Sequence, residues 1–152
     1  MPRRVSLTQI VLAASPLGLV TALFRLPRER HRRAALEALA RVELDGQAYQ
    51  PGATLDPEGR VRLAVARALS RRPEWIVIRD VDLVLDRAVA DRILALLHRI
   101  VRQEQTSVLA SLASLALACK FADRLISLTD GLLTFDGPPS RFRERSPVLD
   151  AG

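Results

Sequence analysis

Cysteine, lysine and aromatic residues are scarce in this sequence of 152 residues, and each scarcity excludes a class of site. Cys119 is the only cysteine, so an internal disulfide and a metal site built on several cysteines are ruled out. One Trp, one Tyr and four Phe leave few side chains that could stack on nucleic-acid bases. We therefore do not expect nucleic acid as the main partner.

Glycine is also sparse, and the seven glycines do not form a nucleotide-binding loop. A P-loop needs the pattern G-x-x-x-x-G-K-[ST], in which glycines let the backbone wrap the phosphates and a lysine reaches the terminal pair. Lys120 is the only lysine, and no pair of glycines precedes it at that spacing. The sequence therefore contains no recognisable binding site for the phosphates of ATP.

Metal ligands and nucleophiles are not clustered in the sequence. His31 and His98 stand alone among charged helical residues, so we predict no metal site and expect both imidazoles to face solvent. Cys119 lies in a predicted helix without a His or Asp arrangement that would activate it, and we expect it to be a small buried residue.

Basic side chains outnumber acidic ones, 23 to 17, which gives a net charge of +6. A charge of this sign favours partners that carry phosphate or carboxylate groups. The arginines are spread from Arg3 to Arg145 rather than gathered in one patch. A basic adaptor that binds nucleic acid or acidic partners therefore stays open as an alternative function.

Hydrophobic periodicity predicts alternating helices and strands. Helices are expected near residues 6–14, 17–25, 28–43, 59–71, 86–103 and 113–121, and strands at 75–79, 107–111, 124–128 and 132–135. Asp130-Gly131 is a hairpin signal between the last two strands. The alternation predicts an α/β fold with a parallel sheet, helical crossovers and an antiparallel edge. One domain is expected, with helical residues 1–72, a partial α/β core at 73–140 and a tail at 141–152.

The most specific pattern lies between residues 55 and 86. An apolar helix leads through Arg72-Pro73 into the strand WIVI, and an acidic turn follows that ends at Asp86. This order resembles the signature helix, Walker B strand and D-loop of ATP-binding cassette (ABC) transporter ATPases. Residues 107–113 and 121–139 resemble the same family, and the ending DG-x4-DGPP is most similar to phosphonate importer ATPases. The resemblance implies a partial P-loop NTPase fold with a helical subdomain.

The signature-like turn departs from the family pattern. It reads Leu55, Asp56, Pro57, Glu58, Gly59, where the family offers a serine hydroxyl and free N–H groups to a phosphate bound in the partner subunit. Pro57 has no N–H, and Asp56 and Glu58 place negative charge where a triphosphate would lie. The same acidic residues are good helix caps, and we interpret the turn as a capped helix start.

The resemblance also places altered residues at the chemical positions of the core. Arg79 stands at the Walker B aspartate, Asp80 at the catalytic glutamate and Ala113 at the switch histidine, while Asp86 follows the D-loop pattern. An arginine cannot ligate a cation, and an alanine offers no imidazole to a phosphate. We therefore predict no intact catalytic, cofactor-binding or metal site, and interpret Asp80 as structural. ATP and Mg²⁺ are implied as ligands by the family resemblance alone.

These departures imply a truncated, degenerate ABC ATPase subunit that cannot bind or hydrolyse ATP alone. We expect it in the cytoplasm or at the inner face of the membrane, docked on a permease or on an intact ATPase, with a homodimer left open. A decayed remnant without function is a further alternative. Residues 5–25 could also form a signal or membrane segment, but Pro16 and Gly18 interrupt the apolar run, and a cytoplasmic segment is favoured.

The missing P-loop strand predicts a vacancy in the sheet. In the family that strand lies between the strands that correspond to residues 107–111 and 124–128. We expect these two strands to pair directly with each other, because unpaired strand edges invite pairing. Two alternatives are a replacement strand at Thr8–Ala13 and a partner chain in the slot.

Overall fold

The computed structural model of the protein describes residues 6–14 and 29–145. The chain divides into two compact units, Met1–Val77 with Ile100–Leu109 and Ile78–Arg99 with Ala110–Gly152. The predicted helix at 17–25 lies outside the described residues, as does most of the apolar stretch at 5–25. Within the described ranges, no helix is long and apolar enough to cross a bilayer.

Three helices pack together in the first unit: α1 (Leu7–Ala14), α2 (Glu29–Arg41) and α3 (Pro57–Leu69). Two 3₁₀ turns, Asp45–Gln47 and Gly52–Thr54, connect α2 to α3. Each helix contributes apolar residues at helical spacing, as the sequence predicts. In these three helices and directly after α2, fully buried large side chains include Leu7, Val11, Leu39, Val42 and Leu69.

The connection between α2 and α3 also holds the start of α1. The backbone N–H groups of Leu7 and Thr8 donate to the carbonyls of Gln50 and Ala48, each at 3.1 Å. The buried Thr8 hydroxyl donates to the Ala48 carbonyl at 2.7 Å. These bonds satisfy N–H groups that the first turn of a helix leaves without intrahelical partners. Residues 7–14 are therefore helical, and the alternative of a replacement strand at Thr8–Ala13 is wrong.

Arg62 links α3 to the end of α2. Its guanidinium donates to Glu58 Oε1 at 2.8 and 3.1 Å, to the Val42 carbonyl at 3.0 Å and to Glu43 Oε2 at 2.6 Å. The Arg62 side chain is only 12% exposed. Burial disfavours its charge, but the hydrogen bonds to Glu58 and Glu43 outweigh burial, so the pKa of Arg62 is raised.

Strands β1 (Trp75–Ile78) and β2 (Ser107–Ala110) form a two-stranded sheet. The Ser107 N–H donates to the Glu74 carbonyl at 2.8 Å, and the Ser111 N–H donates to the Ile78 carbonyl at 3.0 Å. Because both partners advance in the same direction, the strands are parallel. Between them lie the short helix α4 (Val81–Val84) and the long helix α5 (Arg87–Gln103), which is the predicted crossover.

The second unit contains helix α6 (Leu115–Phe121), strands β3 (Leu125–Thr129) and β4 (Leu132–Gly137), and helix α7 (Pro139–Arg145). β3 and β4 form an antiparallel hairpin with an irregular register at Ser127/Leu128. Its turn has positive φ at Asp130 (51°) and Gly131 (77°), which is the conformation that the Asp-Gly signal predicts. The sequence prediction did not include α4 or α7.

The predicted pairing of strand 107–111 with strand 124–128 is wrong. β2 pairs with β1 and β3 pairs with β4, in two separate two-stranded sheets. The two-residue turn pairs one edge of β3 with β4, whereas pairing of its other edge with β2 would require closure over the connection that contains α6. Among residues 6–14 and 29–145, no third strand joins either sheet.

We predict that Arg62→Met lowers the free energy of unfolding by about 1–3 kcal/mol, because it removes the hydrogen bonds of a shielded guanidinium to Glu58, Glu43 and the Val42 carbonyl. Urea denaturation of the full chain measures this loss. The matched control is Arg32→Met, which removes an exposed pair with Glu29 at 2.8 Å and should change stability very little. Equal effects of the two substitutions would contradict the role given to Arg62.

Candidate functional site

The signature-like turn is the capped start of α3. Asp56 precedes the helix with extended backbone, and its Oδ1 accepts a hydrogen bond from the Gly59 N–H at 2.7 Å. Pro57 opens the helix, where its missing N–H costs nothing. Glu58 accepts two hydrogen bonds from Arg62. The interpretation of this turn as a helix cap is confirmed, because the Gly59 N–H is already bonded to a carboxylate of the chain.

Gly59 is buried, and its lack of a side chain leaves room for the capping carboxylate of Asp56. A Cβ at this position would lie 2.9 Å from Asp56 Oδ1 and 3.1 Å from Leu55 Cδ2. Real Cβ atoms do not approach other atoms this closely without displacement, so the capping carboxylate and the glycine depend on each other. The space beside Gly59 is therefore occupied by the Asp56 carboxylate.

Asp80 and Arg79 follow the end of β1. Asp80 has left-handed backbone (φ 57°, ψ 34°), and its N–H is shared between the Ser111 carbonyl at 3.2 Å and Ser111 Oγ at 3.0 Å. The Ser111 hydroxyl donates in return to Asp80 Oδ1 at 3.0 Å. Asp80 thereby fastens the end of β1 to the end of β2.

Arg79 contributes little to this arrangement. Its Nη2 lies 3.9 Å from Asp80 Oδ2, and its side chain is 82% exposed. Solvent screens a pair of this length and exposure. The guanidinium is therefore a solvated charge beside Asp80.

Ala113 lies in a loop whose backbone is hydrogen-bonded to a second aspartate, Asp82. Asp82 Oδ1 accepts a hydrogen bond from the Ala113 N–H at 3.1 Å, and Asp82 Oδ2 accepts one from the Ser114 N–H. Ser114 in turn caps α6 by accepting from the Leu117 N–H at 3.3 Å. The sequence prediction missed Asp82, because its partners lie more than thirty residues away. The sequence feature that could have indicated Asp82 is its position in the acidic turn after β1.

Asp86, the D-loop-like residue, is also a cap. Its Oδ1 accepts a hydrogen bond from the Val89 N–H at 2.9 Å in the first turn of α5. Like Asp56, it satisfies a backbone donor that a helix start leaves free.

The two histidines are half-buried, so the prediction that both face solvent is wrong. His98 Nδ1 lies 3.2 Å from the Phe121 carbonyl, which ends α6 and lacks an intrahelical partner. His31 Nδ1 is buried without a hydrogen-bond partner. Cys119 is free and half-buried on α6. Among the described residues, no three His, Cys, Asp or Glu side chains form a group that could hold a metal ion.

Relatives of known name match most of the sequence. The chain is 36% identical over 123 residues to the phosphonates import ATP-binding protein PhnC of Thiobacillus denitrificans, and the match covers 81% of this chain and 48% of that protein. It is 35% identical over 123 residues to the phosphite import ATP-binding protein PxtA of Stutzerimonas stutzeri, covering 81% of this chain and 44% of the relative. The chain thus spans about half the length of the curated relatives it matches. No protein-family model matches the chain.

Solved structures share the fold. The structure of cbiO1 from Clostridium perfringens, part of the ABC transporter complex cbiONQ, superposes with a TM-score of 0.81 at 18% identity, over 97% of this chain and 57% of that one. A nucleotide-free ATP-binding cassette from an ABC transporter superposes with a TM-score of 0.73 at 16% identity, over 97% of this chain and 62% of that one. The chain is therefore homologous, over about half of their length, to the phosphonate-import ATP-binding proteins, and it has the fold of an ABC ATPase cassette over the part that it spans.

Proposed function

We propose that the protein is an ATP-binding-type subunit of an ABC importer that does not bind or hydrolyse ATP by itself. One observation carries this proposal: at the signature-like turn, where the family pattern offers N–H groups to a phosphate, a carboxylate of the chain itself is bound. The Gly59 N–H donates to Asp56 Oδ1 at 2.7 Å. A phosphate at this turn would have to displace the Asp56 carboxylate and would meet its charge.

The strand end after β1 supports the same proposal. A divalent cation there would need oxygen ligands, and the first side chain after β1 is the exposed cation Arg79. The next carboxylate, Asp80, is bonded to Ser111. The subunit is therefore proposed to be non-catalytic, with Arg79, Asp80 and Ala113 in structural roles.

The names of the relatives indicate the class of transporter. They are import ATP-binding proteins for phosphonates and for phosphite. We propose that this protein belongs to an importer of such phosphorus oxyanions, where it docks on the permease or on an intact ATPase at the inner face of the membrane. Co-purification of the tagged full chain with each of these subunits from a co-expression host tests this placement, and the absence of both from the eluate would argue against it.

We predict that the purified protein does not bind ATP·Mg²⁺ at millimolar concentration. Titration calorimetry and thermal unfolding with ATP and Mg²⁺ measure this directly. Binding with micromolar affinity would raise the free energy of unfolding by about 4 kcal/mol when the ATP concentration is a thousandfold above Kd. A gain of this size produces a clear increase in Tm. The full-length Thiobacillus denitrificans relative serves as positive control. Such a gain in this protein would overturn the proposal of a lost nucleotide site.

We also predict that Asp80→Asn changes stability very little, because asparagine keeps an oxygen for the Ser111 hydroxyl and tolerates left-handed backbone. Asp80→Ala loses both advantages and should lower the free energy of unfolding by about 1–2 kcal/mol. Thermal unfolding compares the two variants. A phosphatase or nucleotidase activity that Asp80→Asn abolishes would instead assign Asp80 a catalytic role.

A further inference from the structure

The β3–β4 hairpin has one strand edge that contains neither a charge nor a proline. β3 has the sequence LISLT and, in the part of the chain that the structure describes, pairs with β4 alone. Strand edges recruit further strands unless charged side chains, prolines or bulges protect them. The other strand of the hairpin has such protection, because β4 contains Asp136 and its pairing is irregular opposite Ser127/Leu128. We call the side of β3 that faces away from β4 the β3 edge.

The backbone groups of Ile126 and Leu128 point to the β3 edge. Successive residues of a strand direct their N–H and C=O groups to its two sides in turn. The Ser127 carbonyl faces β4, since it accepts a hydrogen bond from the Thr134 hydroxyl at 3.1 Å. Thr129 closes the two-residue turn and therefore also faces β4. Ile126 and Leu128 alternate with these two residues and offer their donors and acceptors to an additional strand.

Apolar side chains accompany these backbone groups. Ile126 and Leu128 are 52% and 69% exposed, and Leu133, which lies opposite Leu128 on β4, is 61% exposed. The other face of the hairpin is covered, since Leu125 and Phe135 are 6% and 9% exposed. An added strand would thus bring its side chains beside exposed isoleucine and leucine and remove apolar surface from water.

The sequence of the edge is complementary to itself. In an antiparallel pair of two β3 strands centred on Ser127, Ile126 of one copy lies opposite Leu128 of the other, twice by symmetry. The same register places Arg124 of each copy opposite Asp130 of the other, so that opposite charges meet at both ends of the pairing. Apolar residues therefore meet in the middle and ion pairs form at the ends.

Other registers lose this complementarity. Centring the pair on Ile126 would place Arg124 opposite Leu128, and centring it on Leu128 would place Asp130 opposite Ile126. A register between these would set the exposed face of one copy beside the covered face of the other. In the register centred on Ser127, Arg124 can serve two carboxylates, because only two of its five N–H groups donate to Asp136 in its own hairpin.

We propose that two copies of the protein pair antiparallel through the β3 edge, so that their two hairpins form one four-stranded sheet. A two-stranded hairpin is marginally stable by itself, and further strands stabilise it. A contact of this kind is isologous, because each copy contributes the same segment to the interface. The dimer closes the β3 edge of both copies, so the assembly does not grow beyond two chains through this contact.

A single engineered thiol tests the register. In a Cys119→Ala background, Ser127→Cys places two sulfurs across the two-fold axis, at a Cα separation of about 4.5 Å that a disulfide can bridge. Oxidation with copper phenanthroline should therefore convert most of this variant to a covalent dimer. Thr129→Cys in the same background is the matched control, because the two Thr129 positions lie about 14 Å apart along the strands at about 3.4 Å per residue. It should stay monomeric in a non-reducing gel.

A charge at the edge tests the contact without a disulfide. The mass of the full chain, measured by light scattering, should rise from 16.8 kDa towards that of two chains as its concentration increases. Leu128→Lys should raise the Kd of this dimer by at least about tenfold, because it places an ammonium beside Ile126 and Arg124 of the other copy. Leu132→Lys is the control, since Leu132 is 70% exposed and lies on β4, away from the edge. It should leave the Kd unchanged.

Three results would overturn the proposal. A chain that stays monomeric at all concentrations leaves the β3 edge without a second copy. A dimer that forms equally well with Leu128→Lys and does not crosslink through Ser127→Cys uses another surface. A dimer that appears only with ATP and Mg²⁺ would assign association to a nucleotide contact, which the β3 edge does not contain.

Discussion

Aspartate carboxylates bound to backbone N–H groups determine the conformation of the turns in this protein. Asp56 and Asp86 cap the starts of α3 and α5, and Asp82 binds the N–H groups of the loop before α6. The Asp80 carboxylate instead accepts from the Ser111 hydroxyl, which joins the ends of β1 and β2. A turn at a helix start exposes N–H groups that must find an acceptor. These carboxylates satisfy such donors from within the chain.

This constraint makes the turn at residues 55–59 independent of a ligand. A helix start with an aspartate cap needs no bound phosphate to be stable. Gly59 contributes to the same cap, since its lack of a side chain admits Asp56 Oδ1. The sequence pattern at 55–59 is compatible with helix capping as well as with phosphate binding, and the pattern alone does not distinguish the two.

Periodicity and turn chemistry predicted the regular elements well. The run WIVI, the apolar stripe of α5 and the Asp130-Gly131 turn each contain their own signal, and the structure confirms them. Helix α4 has only four residues and carries no period. The contacts of Asp82 with Ala113 and Ser114 depend on closure of the whole crossover, which no local pattern encodes. The pairing of β3 with β4 has a local signal in the Asp130-Gly131 turn, whereas the predicted pairing of β2 with β3 had none and is not formed.

The hydrogen bonds of Arg62 couple the turn at residues 55–59 to a distant joint between helices. Glu58 lies in this turn and also accepts from Arg62, which in turn binds Glu43 and the Val42 carbonyl. Replacing Glu58 would leave a shielded guanidinium short of an acceptor and weaken the joint between α2 and α3. Residues of the turn and of both helices are therefore constrained to vary together, and a single substitution at Glu58 would carry a cost far from the turn itself.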